Sequence, residues 1–353
     1  MINSDISILR LSGLIFSVFC FVFIFFKLRK PGHHQKNISA LIFFTALLLI
    51  ISFYPSIVNL PAELFNLMKY PNGRLITLLI ISTLLIWPLF LIERSKSIAW
   101  ATQVENIVRA AALQGYLTPK RKNLITREII VLIPAMNEGE NISYVLQKIP
   151  NEIAGMKTGI LVIDDGSTDD TVIKSKTHNA NVISHSVNLG GGAALKTGYE
   201  VAKRFHFKYI VTLDGDGQHD PRDIEKLVSS LIKNKADLVI GSRKLGSSDN
   251  YSFTRSTGVY IFNFLIKVLI GIKTTDCASG YRAFSINLLN QIKLNQRQYH
   301  TAEMIMEAAK HKLKIVEVPI HISRRLSGTS KKGKNLKYAF SFLGSVIKTW
   351  LRS

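Results

Sequence analysis

Cysteine is nearly absent from this chain of 353 residues, which has only Cys20 and Cys277. One lies in an apolar N-terminal run and the other far downstream, so no disulfide framework is implied, and the bulk of the chain suits a reducing compartment. Acidic residues are scarce too: 24 Asp and Glu stand against 45 Lys and Arg, for a formal net charge of +21. That balance suits nucleic acid, anionic lipid or phosphorylated substrates. Nucleic acid is the weakest of these, since neither zinc-finger spacing nor an aromatic-interleaved basic stretch occurs. The nine histidines show no metal-ligand spacing. There is no GxGxxG and no nucleophile elbow. The glycine run Asn188-Leu189-Gly190-Gly191-Gly192 is followed by Lys196-Thr197, but Leu195 precedes that lysine where a P-loop requires glycine. It reads as a close-packed loop entering a helix.

Apolar residues, by contrast, are abundant: 47% of the chain, with a mean hydropathy of +0.19. The excess sits near the N-terminus. Leu11–Phe26, Ile38–Ile57 and Leu75–Ile92 contain no charged residue, and each approaches the ~20 residues that cross a ~30 Å hydrocarbon core. Three spans are expected, over the alternative of a cleaved signal peptide plus two. Lys27, Arg29 and Lys30 follow the first run instead of preceding it, and no small-residue cleavage site is evident. Pro55 and Pro88 are tolerable in membrane helices. The first loop carries Lys27, Arg29, Lys30 and Lys36, the second only Lys69 and Arg74 beside Glu63, and Arg94 and Lys96 follow the third run. Positive charge stays inside, so the N-terminus is expected outside and everything after residue 93 in the cytoplasm.

The expected organisation is a membrane module over residues 1–97, then an amphipathic helix and basic linker over 98–127. Ser97–Tyr116 either lies along the membrane or docks on the next domain. From Glu128, strand–loop–helix alternation signals a mainly parallel sheet with crossover helices, an α/β domain over 128–331. Strands are expected at Ile129–Ile133, Ile160–Ile163, Val182–Ser184, Tyr209–Leu213, Leu238–Ile240 and Val316–Val318. Val259–Ile272 is too short to span and is interrupted by Lys267, so it reads as a helix at the membrane surface. Residues 332–353 place Leu336, Phe340, Leu343, Ile347 and Trp350 at helical spacing among basic residues. Core packing is the default for such a stripe; its basic flanks favour an interfacial helix.

Polar clusters follow successive strands: Pro134-Ala135-Met136-Asn137-Glu138, then Asp164-Asp165-Gly166-Ser167, then Asp214-Gly215-Asp216-Gly217-Gln218, then Ser242-Arg243. Ligands of open α/β sheets bind beyond the carboxyl ends of the strands, so four polar ends on one edge outline a cleft. Carboxylates at i, i+2 in extended chain point the same way. With Gln218 they make an all-oxygen set suited to Mg²⁺ or Mn²⁺. Taken alone, that stretch reads equally as an acidic turn.

The motifs IPAMNEGENI, VIDDGSTDDT, NLGGGAALKTGY, TLDGDGQHDP, GSRKLG, DCASGYRAF, the helix with Glu303 and Glu307, EVP at Glu317-Val318-Pro319, and RLSGTSK occur in the order seen in family 2 glycosyltransferases. The chain most resembles the polyprenyl-phosphate hexosyltransferases, the dolichol-phosphate mannose synthase and glucosyltransferase group. The resemblance implies a GT-A nucleotide-sugar-binding fold and transfer of a hexose from a GDP-mannose- or UDP-glucose-type donor to polyprenyl phosphate at the bilayer, with Mg²⁺ or Mn²⁺. It also implies that Pro134, Met136, Glu138, Ile163 and Asp165 surround the nucleoside. Asp214, Gly215 and Asp216 would meet the diphosphate and its metal, with Gln218 as an added ligand, and Arg243, Arg325 and Lys331 would face phosphates. Asp214, Asp216 and Arg243 are the expected catalytic set. Met136 stands where an aromatic is common in mannose synthases, and Gly215 where alanine is frequent, which leaves the donor open. A phosphate-monoester acceptor has a second pKa near ~6 and is already largely a dianion, so inverting displacement without an indispensable base is expected; Glu303 is then a cleft-wall residue or the partner of an arginine. Two rivals remain: a transferase acting on a sugar hydroxyl, whose usual Gln-x-x-Arg-Trp motif is lacking, and a non-catalytic membrane scaffold. Homo-oligomerisation is left open.

Overall fold

The computed structural model describes residues 8–28, 35–117, 127–249, 253–296, 300–327 and 335–352. Lys331 lies outside the described residues. Contacts divide the chain into two units, Met1–Trp100 and Ala101–Ser353.

The first unit holds α1 (Ile8–Leu28), α2 (Gln35–Phe53), a 3-10 turn (Pro55–Val58), α3 (Asn59–Leu64) and the start of α4 (Gly73–Tyr116). Its packing is inverted: Ser17, Thr45 and Thr77 are buried, while Phe16, Phe19, Phe43, Leu84 and Trp87 are exposed. α1 and α2 approach through small residues, since a Cβ on Gly13 would fall 2.5 Å from Ser52 Oγ. The Ser17 and Ser52 hydroxyls donate to carbonyls of their own helices, each at 2.8 Å. Helices associate in this way where the surroundings are as apolar as their side chains. Among the described residues α4 is the one helix long and apolar enough to cross a membrane; counting Ile42–Phe53 with Ser56–Leu64 as one bent span makes two. By length and composition the described residues thus supply one or two of the three expected spans. The third run and the expected amphipathic helix are a single helix of 44 residues with Pro88 inside it, because Glu93–Ser97 contains neither glycine nor proline to break it.

The second unit is built on β1 (Ile129–Ala135), β2 (Glu152–Ile153), β3 (Met156–Asp164), β4 (Asn181–Ser184), β5 (Tyr209–Thr212), β6 (Leu238–Ser248), β7 (Arg282–Ser285) and β8 (Ile315–Ile322). Their order is β2-β3-β1-β5-β7-β6-β8, with β4 also on β3. β3, β1 and β5 run parallel, as do β6 and β8; β7 is antiparallel to both neighbours. α5 (Ile142–Gln147), α6 (Thr171–Thr177), α7 (Gly191–Arg204), α8 (Asp223–Lys233), α9 (Phe253–Ile270), α10 (Ile286–Gln291), α11 (His300–Lys310) and α12 (Asn335–Leu351) complete the chain. The period of two sends alternate strand residues to opposite cores. Ile130, Leu132, Ile163, Ile210 and Ile240 pack with Leu195 of α7, Ile266 of α9, Ile305 of α11 and Phe342 of α12. Ile129, Val131, Ile133, Val211 and Val239 pack with Val145 of α5 and Leu227 of α8. Burial on both faces is why these strands read as continuous apolar runs.

Two strands lie outside the sequence expectation. β2 and β7 were not foreseen. The buried face of α12 is Phe342, Ser345, Val346 and Thr349, with the Phe342 ring 4.2 Å from that of Phe262. Within the expected stripe, Leu343 is half-buried while Ile347 and Trp350 are exposed. The helix is apolar on two sides, so periodicity alone could not say which side packs.

Candidate active site

β1 lies between two parallel partners, which brings three strand ends together. Ala135 faces Asp164 across β1 and β3, and Leu132 faces Thr212 across β1 and β5. β7 starts from the same edge in the opposite sense, with Arg282 beside Thr212. The loops 136–141, 165–170, 213–222 and 274–281 therefore share one rim.

Charge is concentrated where Arg325 meets this rim. Arg325 pairs with Glu138 Oε1, and its second nitrogen lies 3.9 Å from Asp216 Oδ2. Its Nε donates to Ser327 O at 2.8 Å, which curls its own loop. Asn141, buried, donates to Glu138 Oε2 at 2.8 Å and to Ser327 O at 3.3 Å. Asp216 Oδ1 accepts from Gln218 N at 3.1 Å, closing the acidic turn. The Gln218 side-chain amide donates to Ser323 O at 3.3 Å, and Ser323 N returns a bond to Gln218 O at 2.9 Å. A Cβ on Gly280 would sit 3.2 Å from Asp214 Oδ1, so glycine keeps the 274–281 loop clear of that carboxylate. On Gly215 a Cβ would meet Ile133 and Ile142 at 3.4 and 3.5 Å, ordinary contacts that alanine would accept.

The expected nucleoside group divides. Pro134 and Met136 are half-buried at the end of β1, and Asn188 donates from its side chain to the Met136 sulfur. The Ile163 side chain is wholly in the core, which leaves only its main chain at the edge. Asp165 is buried, and its carboxylate accepts from Leu189 N at 3.0 Å, Gly190 N at 2.6 Å and His185 Nδ1 at 2.8 Å. It holds the glycine loop in place. Gly166 has φ of +82° and its Cβ position lies 3.1 Å from Asn188 N, so glycine alone lets that loop approach.

Arg243 leaves β6 as a braced cation. Its Nε and one terminal nitrogen donate to the Asp276 carboxylate, each at 2.7 Å, and its backbone N–H reaches the same group at 3.1 Å. Glu317 of β8 holds the loop that carries Asp276, accepting from Thr274 Oγ1 at 2.8 Å, Thr275 N at 2.9 Å and Thr275 Oγ1 at 2.8 Å. Arg282, fully buried, donates to the carbonyls of Ser279 at 2.9 Å, Thr301 at 2.6 Å and Cys277 at 3.1 Å. Burial brings its pKa down to about 10, so it stays charged at neutral pH, and pushes the Cys277 thiol up to about 12, which makes it inert. Glu303 is also buried: it accepts from Asn295 N at 2.8 Å and Gln296 N at 2.9 Å and pairs with Arg352, just past the end of α12.

Asn141, His185, Asp276 and Ser327 carry these arrangements without having been singled out by the sequence. Beyond the local pairs of Asn141 with Glu138 and Ser327 with Arg325, Asn141 meets Ser327 across 186 residues, Asp276 meets Arg243 across 33 and His185 meets Asp165 across 20, and no local spacing announces those.

Among the described residues no cluster of three or more His, Cys, Asp or Glu could hold a metal by itself. Two carboxylates of an oxygen-only set suit an ion that completes its shell with water and substrate phosphates, as Mg²⁺ commonly does. The residues fit that kind of ion, not a closed protein cage.

A twisted α/β sheet with an acidic turn and an opposed arginine beyond its parallel strand ends places the molecule among the GT-A-like glycosyltransferases. Residues 130–293 match the model of Glycosyl transferase family 2. The UDP-N-acetylglucosamine–dolichyl-phosphate N-acetylglucosaminyltransferase of Methanococcus voltae is 35% identical over 54% of this chain and 84% of its own. The polyprenol monophosphomannose synthase of Mycolicibacterium smegmatis is 30% identical over 61% and 84%. In structure, the glucosyl-3-phosphoglycerate synthase of Mycobacterium tuberculosis, crystallised with Mn²⁺, UDP-glucose and phosphoglyceric acid, aligns with a TM-score of 0.51 at 20% identity, covering 64% of this chain and 80% of that one; the fold is shared. The chain belongs to glycosyl transferase family 2, and it is a glycosyltransferase.

Proposed function

We propose that this chain is a membrane-bound transferase that moves a hexose from a nucleotide sugar to polyprenyl phosphate, with inversion at the anomeric carbon. The observation that carries this reading is the juxtaposition of Asp216 and Glu138 with Arg325 at the edge where β1, β3 and β5 end. Carboxylates for a divalent ion beside a cation for phosphate are what a sugar diphosphate requires. Asp214 and Asp216, with Gln218 as an added ligand, would hold Mg²⁺ or Mn²⁺, which when bound neutralises charge on the diphosphate. Mn²⁺ accompanies UDP-glucose in the mycobacterial synthase, and the two curated relatives are named for dolichyl- and polyprenol-phosphate acceptors. Pro134, Met136, Glu138, the Ile163 main chain and Asp165 would border the nucleoside.

Cleavage of the sugar–diphosphate bond builds negative charge on the leaving group, and pre-positioned cations stabilise it best where they need not reorganise. Arg325 is tethered by Glu138 and Ser327, and Arg243 by Asp276, which supports both as phosphate-facing residues; Lys331 is proposed for the same role from sequence alone. The acceptor phosphate needs no base. Glu303, committed to two backbone amides and Arg352, is expected to brace the 295–296 turn. Glu303→Gln should keep turnover within about tenfold of wild type, since one neutral acceptor replaces a charged one; loss of turnover with donor affinity intact would instead make Glu303 a catalytic base.

Lipid contact is supported within each unit separately. The first unit buries hydroxyls and exposes aromatics. In the second, Tyr260, Ile261, Phe264 and Val268 of α9 and Ile347, Trp350 and Leu351 of α12 form exposed apolar faces, with Lys244 over the Tyr260 ring. We place three spans in the bilayer with the N-terminus outside and the catalytic unit in the cytoplasm, on the loop charges.

The test is transfer. Full-length protein in detergent, with Mn²⁺ or Mg²⁺ and polyprenyl phosphate, is offered radiolabelled UDP- and GDP-sugars. Label is expected in the lipid phase from at least one donor, and chelation of the ion should stop it. Absence of lipid-phase label from every donor would overturn the reading.

A further inference from the structure

His185, already met as a partner of Asp165, is buried between two polar partners. It follows β4 directly, its side chain is fully enclosed, its Nδ1 lies 2.8 Å from Asp165 Oδ1 and its Nε2 lies 2.9 Å from Thr197 Oγ1. Thr197, on α7, is itself buried and receives Arg109 Nε at 3.2 Å. Arg109 belongs to the part of α4 that lies in the second unit, and it also pairs with Glu200 of α7. One turn earlier on α4, Glu105 lies 3.6 Å from Lys196.

Proton positions follow from the chemistry. Asp165 accepts two main-chain N–H groups, so its carboxylate is an acceptor only, and His185 Nδ1 must carry the proton it shares with it. At the other ring nitrogen, Nε2 meets the Thr197 hydroxyl, which also reaches Ala193 O at 3.2 Å. The Thr197 oxygen in turn accepts the Arg109 Nε proton. Arg109, Thr197, His185 and Asp165 thus form a connected chain of hydrogen bonds, positive at one end and negative at the other, in which each bond polarises the next. A carboxylate offers about four acceptor directions. Leu189 N and His185 take those of Oδ1, and Gly190 N takes one of Oδ2, which leaves a single direction on Oδ2.

We propose that His185 is a positioning residue for the donor: with Thr197 and Arg109 it fixes the Asp165 carboxylate and, through it, the Leu189–Gly190 loop, so that one oxygen direction is presented to the nucleoside. The proposal rests on the reading that Asp165 borders the donor. It assigns the second-unit stretch of α4 a role in donor binding, since Arg109 anchors the far end of the chain.

The experiment compares wild type, His185→Ala, His185→Asn and Thr197→Val as full-length protein in detergent. Backbone hydrogen exchange of residues 186–192 is followed without nucleotide, and steady-state kinetics with donor and polyprenyl phosphate are measured beside it. Loss of a hydrogen bond to a charged group corresponds to roughly tenfold. His185→Ala should therefore speed exchange in that segment and raise the donor KM by about tenfold, with kcat and acceptor KM little changed. His185→Asn, whose amide can still donate to Asp165, should recover much of both; Thr197→Val should fall between. Unchanged segment exchange and donor KM in His185→Ala would overturn the proposal, as would exchange raised evenly across the second unit with kcat and both KM values damaged together. If wild type transfers no sugar, the transferase reading fails, while the exchange comparison still decides whether His185 holds the loop.

Discussion

Asp216→Ala is expected to lower sugar transfer by about a thousandfold or more, the scale of losing a pre-organised electrostatic contact to the transition state together with metal binding. Alanine removes a carboxylate that the proposed ion needs and takes away the ionic contact that Asp216 makes with Arg325. It also removes the acceptor for Gln218 N that closes the turn, so alanine by itself confounds charge with shape. Asp216→Asn separates them, because the asparagine oxygen can still accept from Gln218 N while the charge is gone. Both variants are expected to lose transfer alike, to require far more Mn²⁺ for any residual rate, and to unfold within a few degrees of wild type. A D216N protein with near-normal turnover would mean that the turn, and not its charge, is what matters, and the metal reading would fall.

Arg282→Ala is expected to destabilise the second unit by about 3–5 kcal/mol, the scale of breaking a buried charged network and leaving a cavity. Among the described residues Arg282 is the largest fully buried side chain, and its guanidinium bonds three carbonyls drawn from the 277–279 loop and the start of α11. Removing it strands all three acceptors and frees the loop that carries Asp276, the brace of Arg243. For a unit of this size the melting temperature should fall by roughly 10 °C, measured by thermal denaturation of the full chain in detergent. Arg282→Lys should rescue little, since one ammonium cannot reproduce a planar fork of donors aimed at three oxygens. A shift below about 2 °C for R282A would show that the carbonyls find other partners and that the loop does not depend on this residue.

The six strands read from the sequence all appear, because strands covered on both faces leave long apolar runs that end abruptly in polar residues. β7 was missed for a physical reason. Arg282-Ala283-Phe284-Ser285 is four residues long and begins with a charge, and only its insertion between β5 and β6 makes it a strand. The third apolar run and the helix read after it are continuous because a charged stretch without glycine or proline does not end a helix; it only changes what the helix faces. The acidic turn was legible as chemistry. Its neighbours were less so: Ile163 proved to be core, and Asp165 a loop holder with one acceptor direction left.

What the sequence determined by itself is therefore local and periodic. Alternation of strands and helices, two carboxylates after a strand, uncharged runs that approach the thickness of a bilayer and an ordered set of family motifs are all patterns over a few neighbouring residues. Which charge meets which was decided by the tertiary structure alone. Arg325 pairs with Glu138 across 187 residues, Arg352 with Glu303 across 49, and His185 with Asp165 across 20. Such pairs depend on strand order and on which face of each helix packs, and these are properties of the whole chain closing on itself.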